Sequence, residues 1–259
     1  MLRANNIDFS LDRQLILKNI HLEINKGELV GLIGPNGAGK SSLLRILAGL
    51  CEPDRGDVIV QQAAAKPLAS FSPLARARLL AYLGQQEKPV WPLAVEHLVG
   101  LGRAPWSKGF SEQGEHDAVI ARALALTELA HLVGRPVNSL SGGELQRVLL
   151  ARVFAGEPEI IIADEPIAAL DPYHQLHIME LLRNHAEQGG TVVAALHDLS
   201  LAARFCHHLI LLHHGQVYAT GTPAQVLTPE NLHRVYGITA HVDCRDDGVV
   251  IIPQQRVTS

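Results

Sequence analysis

Leu29-Val30-Gly31-Leu32-Ile33 runs into Gly34-Pro35-Asn36-Gly37-Ala38-Gly39-Lys40-Ser41-Ser42, and a helical pattern then extends from Lys40 to Leu50. The apolar run has the length of a buried strand. The loop after it fits G-x-x-x-x-G-K-[ST]. Its glycines let the backbone wrap so that several N–H groups point inward at phosphate oxygens, and the following helix adds its positive dipole end. Lys40 supplies a point charge for the β- and γ-phosphates, and the Ser41 hydroxyl is placed to coordinate Mg²⁺. A chance glycine-rich turn would lack the strand before it and the helix after it.

A second anchor lies far along the chain. Ile160-Ile161-Ile162-Ala163-Asp164-Glu165 puts two carboxylates at the end of an apolar strand, and the carboxyl ends of such strands are where α/β sheets bind ligands. Adjacent residues point opposite ways. Asp164 is therefore assigned to Mg²⁺ and Glu165 to polarising an attacking water as general base.

Around these anchors, strand patterns cover 2–9 and 15–24, separated by Asp12-Arg13-Gln14, then Leu79 to Leu83, Thr191 to Leu196, and a hairpin of His208–Leu212 with Gln216–Tyr218. A helix is expected from Pro172 to Gln188. Residues 95–157 read as mostly helical with a break at Gly102–Gly109. Apolar strands alternating with helices imply an α/β fold with a largely parallel sheet covered on both faces. The helical block, about 86–158, interrupts the alternation as an inserted subdomain. Thr222-Pro223 closes a domain of 1–222, and 223–259 form a short C-terminal extension.

Composition narrows the function. Of 259 residues, 47% are hydrophobic and 19% charged, as in a globular chain. The formal net charge is −4 with no long basic run, and aromatics are 4%. Both argue against a nucleic-acid partner. No run of about 18 apolar residues appears, so a membrane role must come through a partner. The three cysteines are scattered, and the 14 histidines show no zinc-ligand spacing, which leaves both sets as core or solvated residues.

Leu140-Ser141-Gly142-Gly143-Glu144-Leu145-Gln146-Arg147 reads as a helix start, with Ser141 as N-cap and Glu144 at the capping-box position. Two glycines in the first turn weaken a helix but allow close backbone approach and leave a helix N-terminus able to receive an anion. This stretch resembles the signature motif of ABC ATPases and stands between the phosphate loop and the acidic strand, in that family's order. Gln85 in Tyr82-Leu83-Gly84-Gln85 resembles the Q-loop glutamine. Ala169-Leu170-Asp171 resembles the D-loop, and His197 in Ala195-Leu196-His197-Asp198 the switch histidine.

The resemblance covers about residues 1–222 and implies the ABC-ATPase form of the P-loop NTPase fold, with an antiparallel β subdomain and the inserted helical subdomain. It implies ATP and Mg²⁺ as cofactors and a head-to-tail dimer, in which Ser141, Gly142 and Gly143 of one copy meet the γ-phosphate held at Lys40 of the other. Residues 34–42 would hold the nucleotide, Ser41, Gln85 and Asp164 the metal, and His197 the γ-phosphate and, with Glu165, the water. Gln85 would report nucleotide state to a membrane partner, and Asp171 would couple the two sites.

The chain departs from the family pattern at the adenine contact, where an aromatic is usual. Leu11 is the nearest match, with Phe9 two residues earlier. Ile167-Ala168 also replaces the usual Thr-Ser. Val99-Gly100-Leu101-Gly102-Arg103-Ala104-Pro105 resembles the "GRxP" segment of importers for iron-siderophores, haem and vitamin B12, and Gly221 to Thr228 resembles the end of their core. The implied protein is a peripheral ATPase on the cytoplasmic face of a bacterial inner membrane. It would serve a separate permease and, indirectly, a periplasmic substrate-binding protein. Non-transport ABC ATPases, acting in iron–sulfur assembly or on DNA or ribosomes, are the alternative. They would lack the Arg103 segment or carry second cassettes, insertions or basic arms.

Overall fold

The computed structural model describes residues 1–62, 64–85, 91–107, 113–245 and 248–257. Its strands are β1 (Leu2–Leu11), β2 (Gln14–Ile24), β3 (Leu29–Ile33), β4 (Arg55–Gln61), β5 (Ala65–Pro67), β6 (Leu80–Leu83), β7 (Ile160–Asp164), β8 (Thr191–Ala195), β9 (His208–His213), β10 (Gln216–Gly221), β11 (Ile238–Arg245) and β12 (Gly248–Arg256). Its principal helices are α1 (Lys40–Leu47), α2 (Pro73–Leu79), α3 (Val95–Gly100), α4 (Gln113–Leu126), α5 (Gly142–Ala155), α6 (Pro172–Glu187) and α7 (Leu199–Phe205). The chain divides into two compact units, Met1–Ser70 with Met179–Ser259, and Phe71–Ile178.

In the first unit, β3 pairs in parallel with β8 on one side and β9 on the other, and β10 adds antiparallel to β9. Every residue of β3 and β8 is buried. That is why both read as unbroken apolar runs, since a parallel strand is covered on both faces. A separate antiparallel sheet has the order β2-β1-β4-β5. Its β1–β2 hairpin turns on Asp12 and Arg13, both in the left-handed region with φ of 50° and 65°, the geometry of a two-residue type I′ turn. Chain-terminal β11 and β12 form a hairpin of their own.

In the second unit, β6 and β7 pair in parallel, Leu80 with Ile160 through Leu83 with Ala163. Helix α5 is its core element, burying Val148, Leu149, Leu150, Ala151, Val153 and Ala155. The expected break at Gly102–Gly109 is a 3-10 helix over Leu101–Trp106, and the rest of that stretch extends beyond the described residues. Helix α1 stops at Leu47 rather than Leu50, because Ala48 caps it and Gly49 turns left-handed. Leu79 ends α2 rather than starting β6.

Candidate functional site

The phosphate loop links β3 to α1. Gly34 is buried with φ of 146°, and a Cβ there would fall under 3.0 Å from the Leu212 carbonyl oxygen of β9. Only glycine lets the loop leave the strand this way. Lys40 is buried, and its Nζ donates to the carbonyls of Gly34 at 2.7 Å and Pro35 at 3.1 Å, so the ammonium is drawn back across the loop. Pro35 and Gly39 are half-buried, Asn36 and Gly37 exposed, Ala38 buried, and Ser41 and Ser42 half-buried in the first turn of α1. The loop is braced from outside, since the Gly215 amide donates to the Ala38 carbonyl at 3.2 Å. On the same sheet, β8 ends beside β3, and the Leu196 amide donates to Leu32 O at 3.1 Å. That brings the exposed His197 to the carboxyl edge from which the loop springs.

The second unit gathers the carboxylates, the signature helix and Gln85. Asp164 is 2% exposed at the end of β7. Glu165 follows with φ of 55° and Ala169 with φ of 60°. Left-handed backbone costs a non-glycine residue about 1–2 kcal/mol, a strain that clusters at functional sites. The turn between them is held by Ala168 N to Glu165 O at 3.1 Å, by Gln146 Nε2 to Pro166 O at 3.3 Å and by Gln175 Nε2 to Ile167 O at 3.5 Å. Gln146 projects from α5, so the signature helix and the acidic turn are tied inside one unit. Exposed Gln85 follows β6, whose Leu83 pairs with Ala163, which places it at the same strand edge as Asp164.

The signature helix starts as its sequence demands. Ser141 Oγ accepts from the Glu144 amide at 3.2 Å, and the Glu144 carboxylate accepts from the Ser141 amide at 2.8 Å. That backbone N–H holds the Glu144 carboxyl below its ordinary value, helped by the Ser141 side chain and Arg135. Ser141 and Gly142 are exposed, and a Cβ on Gly142 would meet nothing within 4 Å. No close approach among the described residues requires glycine there. Asp171 caps α6, accepting from the His174 amide at 3.0 Å and pairing with His174 Nδ1 at 2.8 Å. The His174 amide, and after it the His174 ring, pull the Asp171 carboxyl down.

The Arg103 segment is consumed by packing. A Cβ on Gly102 would clash with the Arg152 carbonyl of α5. Arg103 Nη1 donates to Ala155 O at 3.0 Å and to Glu157 at 2.8 Å. Trp106 Nε1 donates to Gly156 O at 2.9 Å, and the Arg78 and Arg103 guanidinium groups lie 4.9 and 5.4 Å from its ring centroid. The motif therefore fastens the 3-10 helix to the end of α5. Two of the histidines are likewise engaged in packing: His207 accepts from the Leu29 amide at 3.0 Å, and His177 Nε2 lies 2.9 Å from Leu126 O. Among the described residues no group of three or more His, Cys, Asp or Glu side chains could hold a metal ion.

Leu11 and Phe9 do not occupy equivalent places. Register shifts flank Phe9, which pairs with fully buried Leu17, whereas Leu11 ends the strand opposite Gln14 and is 55% exposed. Sequence reasoning misses the tie that Gln146 makes to the acidic turn, although Gln146 carries a signal, a polar residue on the apolar face of α5.

A family model described as ABC transporter matches residues 17–168, more than half of the chain. The chain belongs to the ABC transporter family. This ABC ATPase is 42% identical over 243 residues to the hemin import ATP-binding protein HmuV of Pseudomonas aeruginosa, covering 92% of this chain and 93% of that one. A solved structure described as a metal-chelate type ABC transporter in an inward-facing conformation matches with TM-score 0.81 and 27% identity, covering 98% and 97% of the two chains. A dimeric ATP-binding cassette in a post-hydrolysis state with ADP and Pi matches with TM-score 0.78 and 31% identity, over 86% and 99%. Among the described residues no helix of this ABC ATPase is long and apolar enough to cross a membrane.

Proposed function

We propose that this ABC ATPase energises import of a metal chelate, haem foremost, through a separate permease at the cytoplasmic face of a bacterial inner membrane. The similarity to a hemin import ATP-binding protein over nine-tenths of both chains carries this reading. A periplasmic substrate-binding protein would deliver the cargo to the permease.

Residues 34–42 bind the nucleotide phosphates, with Lys40 swinging from its two carbonyl acceptors to the β- and γ-phosphates. The oxygen donors Ser41, Gln85 and Asp164 suit Mg²⁺. When bound, the metal neutralises phosphate charge. Glu165 accepts the proton of the attacking water, and His197 holds the γ-phosphate. Two copies associate head to tail, so that Ser141, Gly142 and Gly143 of each close over the nucleotide of the other. An exposed capped helix start, with a glycine that nothing among the described residues crowds, supports that use. Gln85 reports nucleotide state to the permease, and Asp171 couples the two sites.

Glu165→Gln tests the chemistry. The amide cannot take a proton, so the variant should bind MgATP, lose at least 100-fold in turnover, and elute as a dimer in size-exclusion chromatography only with ATP. Turnover within twofold of the parent would remove Glu165 as base, and an ATP-independent monomer would remove the shared site.

A further inference from the structure

Helix α5 reaches the acidic turn with a buried polar side chain. Gln146 lies one turn into the helix and is 8% exposed, beside Val148, Leu149 and Leu150 at 2% or less. An amide on so apolar a surface must find a partner, because burying it unpaired is costly. Its Nε2 donates to the carbonyl of Pro166 at 3.3 Å. Gly143, three residues earlier on the same helix face, brings the helix backbone against the far end of the turn. A Cβ there would lie 3.4 Å from the Ala169 carbonyl oxygen.

The turn needs this support. Glu165 and Ala169 open and close it with φ of 55° and 60°, and such backbone persists only where its surroundings over-determine it. Three successive carbonyls in it accept hydrogen bonds. Glu165 O takes the Ala168 amide at 3.1 Å, Pro166 O the Gln146 side chain, and Ile167 O the Leu170 amide at 3.4 Å with Gln175 Nε2 at 3.5 Å. The first and third are held from within the turn or from α6 just after it. The middle one is held from a helix residue 20 positions upstream, and it belongs to the residue directly after Glu165. The pyrrolidine ring fixes φ of Pro166, so holding its carbonyl constrains the peptide that joins it to Glu165.

We propose that Gln146 is a positioning residue for Glu165: its amide sets the Pro166 carbonyl and thereby the aim of the Glu165 carboxylate, so that turnover, and not nucleotide affinity, depends on it. The inference rests on Glu165 being the general base. A base works only within hydrogen-bond reach of the proton it takes, and a misplacement of about 1 Å can cost on the order of 100-fold in rate.

The test measures ATPase rates and the binding of a fluorescent ATP analogue with Mg²⁺ on the full chain. Gln146→Met keeps the length of the side chain and removes the donor. It should lower kcat about fivefold to hundredfold while leaving KM and the Kd for the analogue within threefold, and the intact Kd shows that the variant is folded. Gln146→Leu, which equally lacks a donor, should behave alike. Val153→Ala, farther along α5, is the control for packing: it should lower the melting temperature and leave kcat within twofold. The deciding arm repeats Gln146→Met in a Glu165→Gln background, read by single-turnover hydrolysis of radiolabelled ATP. With the base already gone, losing its positioning should change the residual rate by less than twofold. An equal fold loss in both backgrounds would overturn the proposal, as would a fall in kcat smaller than fivefold, a Kd raised more than threefold, or the same kcat loss in Val153→Ala. Turnover of Glu165→Gln alone within twofold of the parent would reject the base assignment itself, and the proposal with it.

Discussion

Replacing Gly34 and Gly37 by alanine should have very different consequences, although both belong to one loop and both have positive φ. At Gly37, with φ of 80°, a Cβ meets nothing within 4 Å. The cost is the left-handed backbone alone, about 1–2 kcal/mol, offset by about 0.4–1 kcal/mol from the less flexible unfolded chain. At about 2–4 °C per kcal/mol for a chain of this size, Gly37→Ala should lower the melting temperature by roughly 0–6 °C. At Gly34 the φ of 146° costs about 1–3 kcal/mol, and the new Cβ lands on the Leu212 carbonyl. That carbonyl belongs to β9, paired with both β3 and β10, and cannot withdraw without opening a ladder. The loop must move instead, losing the Lys40–Gly34 bond, a charged hydrogen bond worth about 1.5–3 kcal/mol. The sum is about 2.5–6 kcal/mol, a fall of roughly 5–24 °C. Differential scanning fluorimetry without nucleotide reads both variants. A Gly34→Ala melting point within 2 °C of the parent, or a Gly37→Ala loss as large as that of Gly34→Ala, would refute the argument.

Arg103→Ala should cost about 1.5–3 kcal/mol through its lost bonds to Ala155 O and Glu157. Thermal denaturation should show a fall of about 3–12 °C, with less than half recovered by Arg103→Lys, which has no planar fork; an unchanged midpoint would contradict the packing role. Leu11→Tyr should tighten ATP binding on the order of fivefold to tenfold. Stacking on a base is worth roughly 1–3 kcal/mol, and exposed leucine already supplies part of the contact; no gain, together with a large loss in Phe9→Ala, would reassign the adenine contact. The carboxyls of Glu144 and Glu96 are both held below their ordinary 4.5, chiefly by the backbone N–H groups of Ser141 and Gly134. Their folded values lie below their unfolded ones, so the stability they contribute is present above about pH 4.5 and lost as the pH falls through the lowered values. Acid titration followed by far-ultraviolet circular dichroism should show helix loss there, reduced in Glu144→Gln; an identical acid limb in the variant would deny the cap this role.

The elements legible in the sequence are those whose cause is local. The β3 run, the phosphate loop and the start of α1 are contiguous, as are the Ser141–Glu144 capping box and the apolar β7 before its two carboxylates, so spacing alone defines them. Tertiary structure decided whatever depends on residues far apart in the chain. The β4 and β5 strands complete their sheet by pairing with β1 and each other; β5 has no apolar run, and the one in β4 is only Val58-Ile59-Val60. The register shifts around Phe9, which separate it from Leu11, arise from pairing with β2 and not from β1 itself. The Arg103 segment could be named from its residues, but its work became visible only when Gly102 met α5 and Arg103 met Glu157. Leu212 stands about 180 residues from Gly34. A close approach over that separation leaves no trace in local periodicity, because what brings the Leu212 carbonyl against the loop is the pairing of β3 with β9 and not the residues beside it.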